Sequence, residues 1–360
     1  MAAILRLAVV VFAAGSLGAN GKPQKASGRG PKMVRIPART FIMGGDELSG
    51  APGMKEVTLQ TYSIDSTPVT NQQFRAFVKE MKYKTEAEVF GWSFVLDDVL
   101  SDTVLKENDN RIQDAQHWVA VHEAFWRQPE GRDSSLKERW DDFPVVHISW
   151  NDAKAFCEWA GKRLPTEAEW ENAARGRRRE SLYPFGNGSS SMGEDGEWAM
   201  NVWQGKFPGG DTMEDGFHGI SPVNAYPANS YGVFTTVGNV WEWTSDAWPG
   251  NSQEKQWTLK GGSFVDSIDG SFNHKATVVT RMGNTADSGS YNTGFRCVSG
   301  EGGGGRKAPP DQALIEKIME DGGIDAVREY LQEHGHNTEV LTPKELEERR
   351  AAMKQKAAEL

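Results

Sequence analysis

Few side chains in this sequence can do covalent or soft-metal chemistry. Among 360 residues there are two cysteines, Cys157 and Cys297, and seven histidines. A thiolate is a strong nucleophile and the natural ligand of a soft metal. An even pair far apart in the chain is equally the pattern of one disulfide in an oxidising compartment. Two free buried thiols are the other reading, and the residues alone leave both open. His117 and His122, with Glu123 beside the second, have the look of a metal cluster, but their spacing does not fit one helical face, which needs three or four residues. His334 and His336 sit in a charged tail and read as solvated. No G-x-S-x-G elbow, phosphate-binding loop or H-E-x-x-H pair occurs. Hard-metal chemistry has better material. Asn201, in NVWQG, and Asp215, in EDGF, offer oxygen donors near backbone carbonyls, the mixed set that Ca2+ takes. Asn and Asp in Gly-rich loops also make plain turns.

The elements that must position these groups are short. Thr70 is placed to cap a helix from Asn71 to Met81, with Phe74, Phe77 and Val78 on one face. Asn151 or Asp152 caps a second, with Ala155, Phe156, Trp159 and Ala160 inward. Thr166 caps a third that runs through Trp170. Met33–Ile36 and 40–44 alternate as strands do. Beyond about residue 180 the chain is rich in Gly and Asn, with few helical signals. All 13 tryptophans fall between Trp92 and Trp257, which points to one domain.

That domain is expected over residues 33–299. Ahead of it, Arg6, the apolar run Leu7 to Ala14 and the small residues from Ser16 to Ala19 read as a signal peptide over 1–19, with a short anchor or buried helix as the alternative; the run is too short to span a bilayer. Residues 20–32 form a flexible lead-in. After the domain come a Gly-rich linker at 300–310 and a charged helical tail at 311–360. In the tail, Leu314, Ile315 and Ile318 make one apolar stripe, and Thr342-Pro343 starts a second helix. The tail reads mainly as solvated helix; a partner-binding helix is the sharper reading. With 40 basic and 50 acidic residues the formal net charge is −10, which excludes a broad electrostatic nucleic-acid binder. No further membrane segment is visible. Asn187-Gly188-Ser189 is a glycosylation sequon, open to either a glycan or a plain turn. The terminal Ala-Glu-Leu is only faintly like a lumenal retention signal.

Several strings, taken together and in order, resemble the formylglycine-generating enzyme (sulfatase-modifying factor) family. They are DSTPVTN from Asp65, VVHISWNDAKAFCEWAGKRLPTEAEWENAARG from Val145, NVWQGKFP from Asn201 and EDGFHGISPVNAYPANSYG from Glu214. VGNVWEWTSD from Val237, LKGGSF from Leu259 and RMGNTADSGSYNTGFRC from Arg281 complete the set. KYKTEAEVFGWSFV from Lys82 and EAFWRQPEG from Glu123 place the chain nearest the family's non-catalytic branch. The resemblance implies an α+β fold, low in regular secondary structure and related to C-type-lectin-like architecture. It implies that Cys157 and Cys297 form the family's structural bridge.

The family's active member oxidises a sulfatase cysteine to formylglycine in the endoplasmic reticulum with copper(I) held by two cysteines. Aligning through Arg281, Gly283-Asn284-Thr285 and Cys297 puts those positions at Asn273 and Val278, neither a thiolate. No copper is therefore expected, and the chain reads as a pseudoenzyme. Family calcium sites fall on Asn201, Val202 (carbonyl), Asp215 and Phe217 (carbonyl), and on Thr235, Gly238 (carbonyl), Val240 (carbonyl) and Glu242. The second set is expected to be weaker, since Thr235 stands where Asp or Asn is usual. Lumenal residence, with partial secretion, follows from the resemblance. So do binding to sulfatases, binding to the active enzyme or to a second copy of itself, and modulation, by inhibition, of sulfatase conversion. Two rival readings are an enzyme of different chemistry on the same scaffold and a lectin-like module for glycans.

Overall fold

The computed structural model describes residues 30–45, 53–135, 141–178, 180–186, 197–250, 254–300, 318 and 323–330. The expected signal peptide, the Asn187 sequon, the linker beyond 300, the helix begun by Thr342-Pro343, and His334 and His336 lie outside them.

Helices form where a local cap meets an apolar face. In α1 (Asn71–Met81) the Thr70 hydroxyl accepts from the Gln73 N–H and the Gln73 side chain accepts from the Thr70 N–H, a reciprocal capping box. α5 (Glu167–Arg175) is capped the same way by Thr166 and Glu169. α4 (Trp150–Trp159) is capped two residues before the earlier of the two expected caps, because Ser149 is its cap and Asp152 supplies the returning acceptor. Of the residues expected to face inward on α4, Phe156, Trp159 and Ala160 are buried while Ala155 is half-buried. Two shorter helices, α2 (Glu86–Phe90) and α3 (Asp102–Glu107), lie between α1 and α4, and residues 323–330 are also helical.

The strands make four small sheets among the described residues. β1 (Met33–Ile36), β4 (Tyr62–Asp65) and β12 (Val298–Ser299) join the two ends of the domain. β2 (Arg39–Met43) pairs with β3 (Lys55–Leu59). β5 (Trp92–Leu96), β6 (Arg111–Ile112) and β7 (Ala115–His122) form an antiparallel sheet in the order β5-β7-β6. The fourth sheet runs β10-β9-β8-β11 and comprises β8 (Trp241–Ala247), β9 (Gln256–Lys260), β10 (Arg281–Thr285) and β11 (Thr293–Gly294). The architecture is α+β, as the resemblance implied.

Between α5 and β8 the described chain makes only isolated bridges. Side-chain amides order it instead. Asn229 donates to the Ala173 and Ala174 carbonyls and accepts from the Tyr231 and Val233 N–H groups. Asn239 closes a similar loop on both backbone groups of Ser221. These bonds replace the ladder a sheet would have provided.

The largest apolar cluster is aromatic. Phe74 meets Phe156 at 5.8 Å and Trp126 at 5.5 Å between ring centroids, and Cys157 and Cys297 are bonded at its edge. The bridge joins α4 to the segment just before β12 across 140 residues of sequence, which in the chain-entropy account corresponds to about 5 kcal/mol. Replacing both cysteines by alanine should lower unfolding free energy by about 3–5 kcal/mol in a denaturant titration. A loss below about 1 kcal/mol would show that the aromatic cluster alone fixes this region.

Candidate functional site

A cavity of about 740 Å3 opens where the β5-β7-β6 sheet meets the loops around β8 and β10. Trp92 and Phe94 of β5, Trp118 of β7 and Trp241 of β8 supply its aromatic wall. The loop on its other side is bound to β5: the Tyr291 N–H donates to the Phe94 carbonyl at 2.9 Å and the Ser93 hydroxyl to the Gly289 carbonyl at 3.0 Å. A Cβ on Gly289 would lie 2.8 Å from the His147 carbonyl carbon, so only glycine lets this loop approach. His147 itself is wholly buried between Ser93 and the Pro129 carbonyl. Burial depresses its imidazole to about 3, so it is a neutral spacer behind the wall.

The polar lining includes Asn273, His274 and Asp266, with Glu254, Lys255 and Asp287. Asn273 is left-handed (φ 50°) and its amide donates to the Val265 carbonyl at 2.6 Å. Val278, the other position that the resemblance sets against an active-site cysteine, does not belong to this wall. It is fully buried in a separate cluster with Trp170, Tyr183 and Val202, and its N–H donates to the Leu182 carbonyl. The side chain that stands with Asn273 and His274 in the cavity is Asp266. Sequence reasoning missed Asp266 and His274, which are eight residues apart in an irregular loop with no periodicity to mark them.

Copper(I) needs soft thiolates. The chain has two cysteines, both in the buried bridge, and neither lines the cavity. The wall offers amide, carboxylate and imidazole donors instead, so these residues do not fit a copper(I) centre.

The first calcium set is gathered in one loop system. Asp215 accepts from the Val202 N–H at 3.3 Å and from the Phe217 N–H at 3.0 Å. Asn201 spends its NH2 on the Gly219 carbonyl and on Asn239, leaving its oxygen as the remaining acceptor. Burial raises the Asp215 carboxyl above its ordinary range, and nearby Asp211 adds to this, which is the state of an anion that gains from a cation. One carboxylate, one amide oxygen and two carbonyls are all hard donors, and with water they fit Ca2+. The second set is different. The Thr235 hydroxyl donates to the Val223 carbonyl at 2.7 Å. Both Glu242 oxygens are held by the buried Arg296 guanidinium, at 2.6 and 2.7 Å, and one also by the Trp170 indole N–H. Arg296 already supplies the positive charge there, and no uncommitted anionic donor is left for a cation. A Cβ on Gly238 would sit 2.1 Å from the Asn201 carbonyl oxygen, so the two sets abut.

His117 packs edge-on to Phe207 at 4.7 Å while His122 is exposed. Among the described residues, no group of three His, Cys, Asp or Glu side chains is placed to hold a metal. No helix among them is long and apolar enough to cross a membrane.

The fold and cavity define an irregular α+β scaffold with an aromatic-walled cavity and no cysteine in its lining. The chain belongs to the FGE-sulfatase family, whose model, described as a Sulfatase-modifying factor enzyme 1-like domain, matches residues 19–300. It is 52% identical over 280 residues to Inactive C-alpha-formylglycine-generating enzyme 2 of Bos taurus, covering 77% of this chain and 90% of that one. It is 43% identical over 284 residues to Formylglycine-generating enzyme of Mus musculus, covering 74% and 75%. Among solved structures, PvdO from Pseudomonas aeruginosa matches with a TM-score of 0.53 at 20% identity over 75% of this chain and 95% of that one, a likeness of fold alone.

Behind the cavity, Glu86 and Asp152 form a buried carboxyl pair. Asp152 accepts from the Tyr83 hydroxyl at 3.0 Å and the Glu86 N–H at 3.3 Å, and Glu86 accepts from the Asn151 amide at 2.9 Å. Desolvation first raises both carboxyls above their ordinary range, and for Glu86 the neighbouring Asp152 charge adds to this. The folded state thus holds a proton that the unfolded chain releases. The associated stability is full below the ordinary carboxylate range and is lost as pH rises through the raised values. Glu86→Gln should therefore lose less stability than the native chain between pH 5 and pH 8, a difference on the order of 2 kcal/mol. Parallel stability curves for the two proteins would refute the pairing.

Proposed function

We propose that this chain is a non-catalytic member of the family that works in the lumen of the endoplasmic reticulum. It binds an extended segment of a sulfatase, or the active formylglycine-generating enzyme, and lowers cysteine-to-formylglycine conversion. One observation carries this reading: both cysteine sulfurs of the chain are consumed by a buried bridge that does not line the cavity, so the cavity can hold a segment but has no thiolate to bind copper(I). The name of the Bos taurus relative, which includes "Inactive", supports it. The volume and aromatic lining of the cavity suit a segment of polypeptide.

Calcium is proposed at Asn201, Val202, Asp215 and Phe217, where it would neutralise Asp215 and pin a loop that lacks ladder bonds. At about 100 times its Kd, calcium should stabilise the chain by about 2.7 kcal/mol. Asp215→Ala should abolish that shift in a thermal melt. An equal shift in the variant would place the ion elsewhere.

Titrating a cysteine-containing sulfatase peptide with the purified chain, read by mass spectrometry, should show binding with the peptide mass unchanged. Co-expression with the active enzyme and a sulfatase should reduce sulfatase activity. Conversion of the peptide by the chain alone, or unchanged sulfatase activity with no association, would overturn the reading.

A further inference from the structure

The cavity floor carries a side-chain pair to which none of the preceding gives a role. Asp266 is 1% exposed and accepts two hydrogen bonds on each oxygen. Oδ2 takes the Ser263 N–H at 2.7 Å and the Ser263 hydroxyl at 2.9 Å; Oδ1 takes the His274 backbone N–H and ring Nδ1, both at 3.1 Å. A carboxylate only accepts, so Nδ1 carries its proton in both charge states of the ring. The edge of Trp241, 5.0 Å away between centroids, fixes the ring from a second side. The remaining nitrogen, Nε2, is then the variable group. It accepts when the ring is neutral and donates when the ring is protonated. The His274 side chain is 39% exposed and lines the cavity.

Its neighbours set the character of the ligand. Asn273 commits its NH2 to the Val265 carbonyl, so its oxygen is offered as a second acceptor. Trp92, Phe94, Trp118 and Trp241 line the cavity, and aromatic rings attract a cation through their quadrupoles. Besides the Asp266–His274 pair, the charged lining groups are Glu254 and Asp287 against Lys255, whose ammonium is drawn over the Trp257 ring at 4.4 Å. The lining is rich in acceptors and net acidic.

We propose that neutral His274, held by Asp266, is the specificity-determining acceptor of the cavity and selects a cationic donor, a guanidinium or ammonium group, on the bound segment. This rests on reading the cavity as a binding site. Protonation of the ring turns Nε2 into a donor and adds a positive charge, so the ligand is released as pH falls. Burial alone would lower the imidazole, but the hydrogen bond and charge of Asp266 outweigh it and raise it. Affinity is thus full above a midpoint that lies higher than that of a free histidine and is lost below it.

Benzamidine, an aromatic cation with paired N–H donors, is the probe, and benzoate is its anionic counterpart. Binding to the full chain is followed by tryptophan fluorescence and calorimetry from pH 5.5 to 8.5, with the His274 ring titration followed by NMR. Benzamidine affinity should fall at least about fivefold from pH 8 to pH 6, and benzoate should not bind. His274→Gln keeps an acceptor at a half-exposed position and should bind benzamidine without this pH dependence. The proposal is overturned by pH-independent binding in the native chain, by an unchanged pH slope in His274→Gln, by benzoate binding as tightly as benzamidine, or by no benzamidine binding at any pH. A sulfatase peptide that fails to bind while benzamidine behaves as expected would overturn the proposed function and leave this inference standing. A peptide that binds with no effect of pH or of His274→Gln would do the reverse.

Discussion

The ion pair between Arg296 and Glu242 is the interaction around which this domain closes. Both side chains are essentially inaccessible to water. A buried charge is costly unless it is paired and fully hydrogen-bonded, and here it is both. The guanidinium donates through Nε and Nη2 to Glu242, through Nη1 to the Asp65 and Ser66 carbonyls, and through Nη2 to the Phe234 and Thr235 carbonyls. Glu242 also accepts from Trp170 on α5. The pair therefore ties together the end of β4, the loop before β8, β8 itself, α5 and the segment that carries Cys297. An apolar residue of the same volume could fill the space, but it could not satisfy four backbone carbonyls from two separate segments.

The neighbouring residue extends the same junction. Cys297 donates its N–H to the Asp65 carboxylate, which also pairs with Lys162, while its sulfur bonds Cys157 on α4. Covalent and ionic ties thus converge within two residues, at the edge of the aromatic cluster. This explains how a chain with short strands and a long stretch of isolated bridges holds one shape. The long segment is fixed at its ends by this junction and along its length by Asn229, Asn239 and Asp215. These polar side chains satisfy backbone groups that no sheet partner reaches.

What the sequence made legible was local or covalent. The caps at Thr70 and Thr166 could be read because a capping box lies within four residues. α4 was misplaced at its start because Ser149, Asn151 and Asp152 all suit a cap, and only the reciprocal bond between Ser149 and Asp152 decides between them. The α+β class and the Cys157–Cys297 bridge came through resemblance, and the observed bond bears the pairing out. The cavity was not legible. Its aromatic wall draws on β5, β7 and β8, and no spacing rule links Trp92, Trp118 and Trp241. Of the two positions that the resemblance aligns through Arg281, Asn273 lines the cavity while Val278 packs in the core beside Trp170. Linear distance carries no information about which side of an irregular loop faces a cavity.

The placement of sulfur and charge separates two tasks that one cysteine-rich loop could have combined. Both thiols are spent on stability, at a junction distant in role from the cavity, and the cavity is lined by groups whose chemistry is hydrogen bonding and proton exchange. A wall of this kind holds a ligand by complementarity of donors, acceptors and aromatic faces, and its reversible variable is protonation of a ring that a buried carboxylate keeps in one tautomer. Because Asp266 is satisfied by Ser263 as well as by His274, losing or gaining the ring proton need not disturb the loop that carries it. Neither Asp266 nor His274 takes part in the junction at Arg296, so the proposed change in what the cavity accepts leaves the hydrogen bonds of that junction in place.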